Sequence, residues 1–564
     1  GKINTMKTSK FIFKIFLVFI LVCVIGCKEK KDPNLEVMGL IRGDLALCGS
    51  GQFGEVNFLL SCGEDTQSEF NLAISLLHSF EYTEAEKAFV RVIDQDPSCA
   101  MAYWGIAMSN FHPLWYPPSK EELIKGSKIL EIANELPQNT EVKEYLEAVS
   151  SFYNDWETVD HPTRIKRFEK AMEAIYLQHP DDKEAAIFYA LALKASSDKA
   201  DKTYSNERKA GVILEGLFPN QPDHPGIAHY IIHNYDNPVL APMALGTARR
   251  YAEIAPASAH AQHMPSHIFT RLGLWDESVA TNLNSTSSAV CYATAIQENA
   301  HWDEEVHGMG YLVYAYLQIG DNQKALEQYQ YLKSFDKIFP ANFKIAYTSA
   351  AIPSRIALEN KDWLAAANLE LPLSNLLKWD NFPWEKSNMN FAKALGFIHL
   401  GEKEKAIGEL EILKSNNRAL KELGDDYKAN QIQIQVVAIS SWLKIMDGEN
   451  EQAVSLMKEA VNMEESTSKH PVTPGELIPA KELLGDMLMQ LGKTEEALVT
   501  YEQNLETHPN RFNGLYGAAM AAKEVGDFEK STYYFKQLLL NTQESNSTRP
   551  ELITAQNFLD TQKG

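Results

Sequence analysis

The histidines of this chain are unevenly distributed and recur at a fixed interval. Of the 15 histidines, eight lie between residues 224 and 307. The step from His229 to His263 equals the step from His233 to His267. Within each HxxxH pair, a spacing of four places both rings on one face of a helix. Two such pairs on neighbouring helices can satisfy a tetrahedral metal site, so one interpretation of these four imidazoles is a site for Zn or Cu.

Other residues bear on what this site would do. Asp236, Glu304 and Glu305 are candidates for further ligands or for hydrogen-bond partners of the ligand rings. Both HxxxH pairs lack the glutamate that follows the first histidine of HExxH metalloproteases, so a metal-dependent enzyme is the less favoured interpretation. A histidine network with a purely structural role is the remaining alternative. His224 precedes Pro225 and is expected to cap a helix.

The interval between the histidine pairs, about 34 residues, is also the length of a tetratricopeptide repeat (TPR), a hairpin of two helices. In one copy Gly492 marks the turn, Ala497 is the small contact residue and Pro509 ends the second helix. We therefore predict an all-α, TPR-type solenoid of helical hairpins wound into a superhelix, with an N-terminal array at 65–345 and a C-terminal array at 346–564.

The predicted repeats follow one another along most of the chain. They span 66–99, 100–133, 183–222, 225–258, 259–292, 306–339, 347–380, 387–420, 434–467, 478–511 and 512–545, with a looser helical pair at 135–180. Gly320, Gly401 and Gly448 are expected at turns within the middle copies. Breaks in the stack are expected at 371–384 and 466–476.

In TPR proteins the first helix of each repeat lines a concave groove. Counted from the predicted repeat starts, several clustered histidines fall at groove-facing positions, and so do His78 and His112. We expect a peptide, protein or small ligand to bind in the groove of the repeats at 183–340. The expected ligand-binding residues are Trp104, His112, His229, His233, Asn234, His260, His263, His267, Arg271 and His307.

Three segments resemble a widespread bacterial family of tetratricopeptide proteins. They are residues 99–108 (CAMAYWGIAM), 224–230 (HPGIAHY) and 263–273 (HMPSHIFTRLG). The resemblance covers roughly residues 56–335 and, more weakly, the C-terminal repeats. It implies the helical-repeat fold and the groove. The family has no settled activity, so the resemblance implies no reaction.

The N-terminal residues have the features of an exported lipoprotein. Lys7, Lys10 and Lys14 precede an apolar run at 15–25, and Gly26 and Cys27 follow it at the boundary with a polar segment. We predict a lipoprotein signal peptide and lipobox at 1–27, with lipidation of Cys27, then a tether and N-terminal cap at 28–64. An ordinary signal peptide or a short membrane helix is the alternative. The expected location is the cell envelope, as an outer-membrane lipoprotein facing the periplasm or the cell surface.

Four further cysteines would enter an oxidising compartment after export. We favour a disulfide between Cys62 and Cys99, because both precede helix starts about one repeat apart. A bond between Cys48 and Cys62 is the alternative.

The overall charge limits the class of partner. The formal net charge is −22 and the isoelectric point is near 5.2, so the chain is not expected to bind nucleic acid, which needs clustered Lys and Arg. We expect a membrane-anchored TPR protein that binds a protein, peptide or small ligand in its groove. The alternative is a Zn- or Cu-binding protein that uses the groove histidines.

Overall fold

The computed structural model describes residues 35, 38–48, 51–59, 62–114, 116–297 and 299–562. The predicted signal peptide with Cys27, and part of the predicted tether, lie outside these residues. Within the described residues no helix is both long enough and apolar enough to cross a membrane.

The chain folds into helical hairpins in which each helix packs against the next. The N-terminal half contains α1 (Gln67–His78), α2 (Tyr82–Gln95), α3 (Ala100–Phe111), α4 (Lys120–Asn134), α5 (Thr140–Tyr153), α6 (His161–Gln178), α7 (Lys183–Ala195), α8 (Ser205–Leu217), α9 (Pro225–Tyr235), α10 (Leu245–Ile254), α11 (Ala259–His263), α12 (Pro265–Leu272) and α13 (Trp275–Ile296).

The C-terminal half continues this arrangement. It contains α14 (Asp303–Gln318), α15 (Asn322–Lys333), α16 (Phe343–Glu359), α17 (Trp363–Ala367), α18 (Pro383–His399), α19 (Lys403–Glu422), α20 (Asp426–Met446), α21 (Asn450–Glu465), α22 (Ala480–Gln490), α23 (Thr494–Thr507), α24 (Phe512–Val525), α25 (Phe528–Thr542) and α26 (Pro550–Thr561). Short 3₁₀ helices lie at Glu64–Thr66, Phe218–Asn220, Ala241–Ala244 and Trp379–Asn381. Two short strands, β1 (His301–Trp302) and β2 (Ile338–Phe339), pair in parallel.

The predicted all-α solenoid of TPR-type hairpins is confirmed. Most predicted repeats start within a few residues of an observed helix start, but the repeat predicted at 434–467 starts inside α20, which begins at Asp426. The expected array boundary at 345 falls inside α16. Gly401 and Gly448 adopt φ of 80° and 76°, the left-handed conformation that ends a helix. A side chain at Gly485 or Gly517 would place its Cβ 2.7 or 2.5 Å from the ring of Tyr501, so close helix contact requires glycine at both positions.

The segment before α1 packs onto the N-terminal hairpins. Its Phe58 is buried, and the ring lies 5.4 Å from that of Tyr145, centroid to centroid. Two disulfides tie the segment to the array, Cys48–Cys291 and Cys62–Cys99. The second is the pair favoured from the sequence, and the alternative pairing of Cys48 with Cys62 is not formed.

The concave side of the superhelix is filled by the chain itself. Residues 466–479, between α21 and α22, form a non-helical segment that we call the strap. Tyr311 of α14 donates to the carbonyl oxygen of Thr473 at 2.9 Å. Arg355 of α16 donates to the carbonyl oxygens of Gly475 at 2.8 Å and Glu476 at 2.7 Å. The first helices of several hairpins therefore face the strap instead of an open groove.

A buried arginine joins the C-terminal repeats to the middle of the chain. Arg511 is fully buried and makes a two-pronged ion pair with Glu482, with both contacts at 2.8 Å. It also donates to Glu359 of α16 at 2.8 Å and to the hydroxyl of Tyr314 of α14 at 2.9 Å. One guanidinium thus connects α14, α16 and α22.

Replacing this arginine is expected to destabilise the fold. Arg511→Met leaves the buried carboxylates of Glu359 and Glu482 without their shared cation, which should lower the free energy of unfolding by about 3–5 kcal/mol. Urea denaturation followed by circular dichroism measures the change. Arg249→Met is the control, because the Arg249–Glu277 pair is exposed and should matter little. Equal loss in both variants would contradict a special role for Arg511.

Candidate metal centre

Six histidines from four consecutive first-helix segments meet on the concave side. His229 and His233 lie on α9, His260 and His263 on α11, His267 on α12 and His307 on α14. Their spacing by one repeat stacks α9 beside α11 and α12. The six side chains are at most 2% exposed. They form two groups of three, in each of which one nitrogen from every ring lies within 4.8 Å of the others.

The first triad consists of His229, His233 and His260. His229 Nδ1 donates to the carbonyl oxygen of His78 at 2.6 Å, so its Nε2 carries a lone pair and no proton. His260 Nε2 lies 3.2 Å from His229 Nε2. The buried Nε2 of His233 has no hydrogen-bond partner among the described residues. Three imidazole nitrogens therefore point into one small volume.

The second triad consists of His263, His267 and His307, and its hydrogen bonds define the tautomers of two rings. Asn282 donates its amide to the carbonyl oxygen of Ser278, which turns its side-chain oxygen toward His263 Nδ1 at 2.7 Å. His263 Nδ1 must therefore be the donor. His267 Nδ1 lies 2.9 Å from a carboxylate oxygen of Asp236 and is likewise a donor.

It follows that two unprotonated nitrogens face one another in this triad. His263 Nε2 and His267 Nε2 are 3.1 Å apart, although neither has a proton to share when the rings are neutral. The nearby hydroxyl of Tyr311 is committed to the carbonyl oxygen of Thr473. Two lone pairs at this distance repel unless a cation lies between them. Two nitrogens bound tetrahedrally to one zinc ion at 2.0–2.1 Å are about 3.3 Å apart.

A proton between the two nitrogens would require one of the rings to be protonated, and burial disfavours the protonated form. Loss of solvent, reinforced by neighbouring imidazoles, holds the pKa of His229, His233, His263 and His307 well below the usual value. Burial lowers the pKa of His267 to about 4, even with Asp236 beside it. These five rings are therefore neutral near pH 7, the form that binds metal ions.

Charged groups behind the rings orient them. Burial works against ionisation of Asp236, but Lys469 and Arg271 hold the pKa of its carboxyl well below the ordinary value. Glu304, kept ionised in the same way by Lys344, lies 3.4 Å from His260 Nδ1. Carboxylates that accept from the far nitrogen of a histidine are the usual outer partners of metal ligands.

An aromatic ring lies against each triad. The Phe80 ring centroid is 4.3 Å from that of His229, and the Tyr311 centroid is 4.5 Å from that of His263. Phe80 adopts φ of 58°, a strained conformation for a residue with a side chain. The surrounding helices hold this ring against the first triad in spite of that cost.

A third group of possible ligands does not have the features of a metal site. His224 Nδ1 accepts from the backbone N–H of Gly226, the capping contact predicted from the sequence, so its Nε2 is protonated and donates to Glu184 at 2.7 Å. The other Glu184 oxygen lies 2.9 Å from His78 Nε2. Because Glu184 is satisfied by both rings, this group is a hydrogen-bond network that positions His78 beneath His229.

The strap covers the second triad. Val472 and Pro474 line a small cavity together with His307 and Tyr311. Lys469 donates to Asp236 at 2.8 Å, the same carboxylate that contacts His267. A macromolecule therefore cannot reach these histidines in this conformation.

Several predicted site residues lie elsewhere or have other roles. Trp104 is packed in the core against Phe58, Tyr145 and Phe188, and His112 is hydrogen-bonded to Glu122, so neither belongs to the histidine cluster. Arg271 donates to Asp236, and Asn234 donates to the carbonyl oxygen of Tyr230. Glu305 contacts His301 and Tyr331 instead of a cluster histidine. These corrections share one cause, namely that the helix faces expected to line an open groove are packed.

The sequence reasoning also missed residues that shape the site. Asn282, Lys469, Phe80 and Tyr311 all contact the cluster or its partners. Tyr311 could have been identified from the sequence, because it lies on the first helix of its repeat, one helical turn after His307. No sequence signal indicated the role of Lys469, because this residue lies in the strap, far from its partner Asp236 along the chain.

The chain has a TPR-like helical-repeat fold. No family model matches its sequence, and no curated protein matches it. The human IFIT1 dimer with m7Gppp-AAAA is similar at 12% identity, covering 82% of this chain and 94% of that chain with a TM-score of 0.33. The APC/C hetero-tetramer Cut9–Hcn1 is similar at 10% identity, covering 88% and 89% with a TM-score of 0.28. Similarity at this level says nothing about what this chain binds.

The strap should loosen when its main anchor is removed. Arg355→Met withdraws a charged donor from the carbonyl oxygens of Gly475 and Glu476, so amide hydrogen exchange at 470–479 should accelerate about tenfold or more. Exchange mass spectrometry measures this. Arg418, an exposed side chain on α19, provides the matched control Arg418→Met. Unchanged exchange in the Arg355 variant would mean that other contacts hold the strap.

Proposed function

We propose that the two triads each hold one transition-metal ion, and that the chain is a metal-binding repeat protein. The observation that carries the proposal is the pair of facing Nε2 atoms of His263 and His267, 3.1 Å apart with both Nδ1 protons committed elsewhere. The arrangement favours a metal ion over a structural network, because a neutral network would leave two lone pairs in repulsion.

The donor set narrows the choice of metal. All six ligands are imidazoles, and the outer carboxylates act through Nδ1 instead of binding directly, which suits copper or zinc. Three protein ligands per ion is the number found where a fourth position stays open to water or a substrate. The ring centroids of His233 and His267, one from each triad, are 5.9 Å apart, so the two ions would be neighbours.

The location is proposed from the sequence alone. The lipobox supports lipidation at Cys27 and anchoring in the cell envelope, at the outer membrane, which metabolic labelling with a palmitate analogue and a Cys27→Ser variant would test.

A peptide ligand in the groove has less support, since the histidines that it would contact are buried beneath the strap.

Metal content tests the proposal directly. The chain, purified without a histidine tag, loaded with Cu²⁺ or Zn²⁺ and desalted, should retain about two ions of one of these metals per chain by mass spectrometry. His263→Ala with His267→Ala should retain about one, and so should His229→Ala with His233→Ala, because each double variant leaves its triad with one ligand.

A matched double variant controls for general loss of histidine. His161 and His179 are partly exposed on or beside α6, away from the cluster, so His161→Ala with His179→Ala should keep both ions. Circular dichroism confirms folding of each variant. Wild-type protein that retains no metal, or triad variants that retain as much as wild type, would show that the cluster is structural.

The outer partners should tune affinity without being ligands. Asn282→Ala removes the acceptor for His263 Nδ1 and frees the ring to turn, so one site should bind its metal about 10–100-fold more weakly. Competition with a chelating indicator measures this. Asn417→Ala removes an equally buried amide that donates to the carbonyl oxygen of Ala429, and it should leave affinity unchanged. Equal effects in the two variants would indicate general destabilisation.

A further inference from the structure

A cavity lies on the other side of the strap from the second triad. It lies between α16, α18, α20, the adjoining ends of α21 and α22, and the strap, and its volume is about 60 Å³. That space suits several waters or one flat ring, whose bonded atoms lie closer together than waters do. The metal proposal makes no use of this cavity.

Aromatic side chains form its walls. The ring centroids of Tyr347 and Trp384 are 5.0 Å apart, and those of Trp384 and His470 are 5.4 Å apart. Phe391 is another lining residue. Tyr347, Trp384 and Phe391 are each 4% exposed, so these faces are shielded from bulk solvent. Such walls favour a planar aromatic ring over an extended chain.

Two amides, one turn apart on α20, supply polar contacts. Asn388 donates to the carbonyl oxygen of Glu385, and Gln435 donates to the side-chain oxygen of Asn388 at 3.1 Å. These two hydrogen bonds fix the orientation of the Gln435 amide. Its buried oxygen has no hydrogen-bond partner among the described residues, and neither does the buried side-chain nitrogen of Gln431. Both glutamines line the cavity, so its wall contains one unpaired acceptor and one unpaired donor.

The charged residues at the strap side are already paired. Lys469 is bound to Asp236, and Glu476 lies 3.0 Å from His508. Glu464, another acidic residue of the lining, accepts from the backbone N–H of Ala480 at 2.9 Å, and burial raises the pKa of its carboxyl, which favours the neutral form. Desolvating a charged ligand would be costly here. The ligand that matches this cavity is therefore uncharged.

We propose that this cavity binds a small, uncharged aromatic molecule carrying an amide-like group, which donates to Gln435 and accepts from Gln431. The ring lies between Tyr347, Trp384 and Phe391. Tyr347 and Thr348 also border the small cavity that reaches His307, so the ligand sits next to the proposed metal centre. Binding itself does not depend on a metal.

Benzamide is the probe, because it combines one ring with one donor and one acceptor. Calorimetric titration of the metal-free chain should give a dissociation constant on the order of 1 mM or tighter. Benzoate should bind about tenfold more weakly, since a carboxylate cannot donate to Gln435. Cyclohexanecarboxamide should also bind more weakly because its ring is not flat. Absence of benzamide binding, or equal binding of all three compounds, overturns the proposal.

Variants locate the site. Gln435→Leu should weaken benzamide about tenfold, whereas Gln323→Leu, the same change at an exposed position of α15, should have no effect. If Gln435→Leu does not fold, Ala438→Leu serves instead, because Ala438 lines the cavity and the larger side chain fills it. Benzamide binding that survives in a folded cavity variant places the ligand elsewhere and overturns the assignment. The triad double variants should bind benzamide normally, which separates this result from the fate of the metal proposal.

Discussion

The chemistry of the histidine cluster depends on where each ring places its Nδ1 proton. Backbone and side-chain acceptors hold the Nδ1 atoms of His229, His263 and His267, so the Nε2 atoms are left bare and directed inward. Neutral imidazoles can be buried without large cost when one nitrogen is satisfied in this way. The remaining lone pairs cannot satisfy one another. A shared cation, as proposed above, would resolve that conflict in a site shielded from bulk solvent.

Closure of the superhelix shields this site from bulk solvent. An open solenoid would expose the first-helix faces to solvent, raise the local dielectric and let water solvate the lone pairs. Here the strap covers those faces, and Arg511 and Arg355 anchor the C-terminal repeats from inside. Around the histidine cluster the repeat array is therefore closed, whereas repeat solenoids commonly present an open surface to partners.

The sequence predicted the repeats well because their signals are local. Turn glycines and the regular repeat interval can be recognised hairpin by hairpin, and the same interval stacks His229 beside His263. The role of Trp104 and the approach of Lys469 could not be predicted in this way. Trp104 is covered by Phe58 of the segment before α1, and Lys469 approaches from the strap. Neither segment belongs to a repeat, so these contacts leave no periodic trace. The open groove was expected because each repeat resembles its relatives, although the path of the whole array does not follow from one repeat.

The strap gives the two proposed sites a common wall. Lys469 borders the aromatic cavity and also donates to Asp236, which orients His267. A ligand that shifts Lys469 therefore changes the charge balance at Asp236, and with it the hydrogen bond that keeps His267 Nε2 unprotonated. Tyr347 provides a second connection, since it lines both the aromatic cavity and the small cavity at His307. The two proposed sites are therefore separate binding volumes that have Lys469 and Tyr347 as shared wall residues.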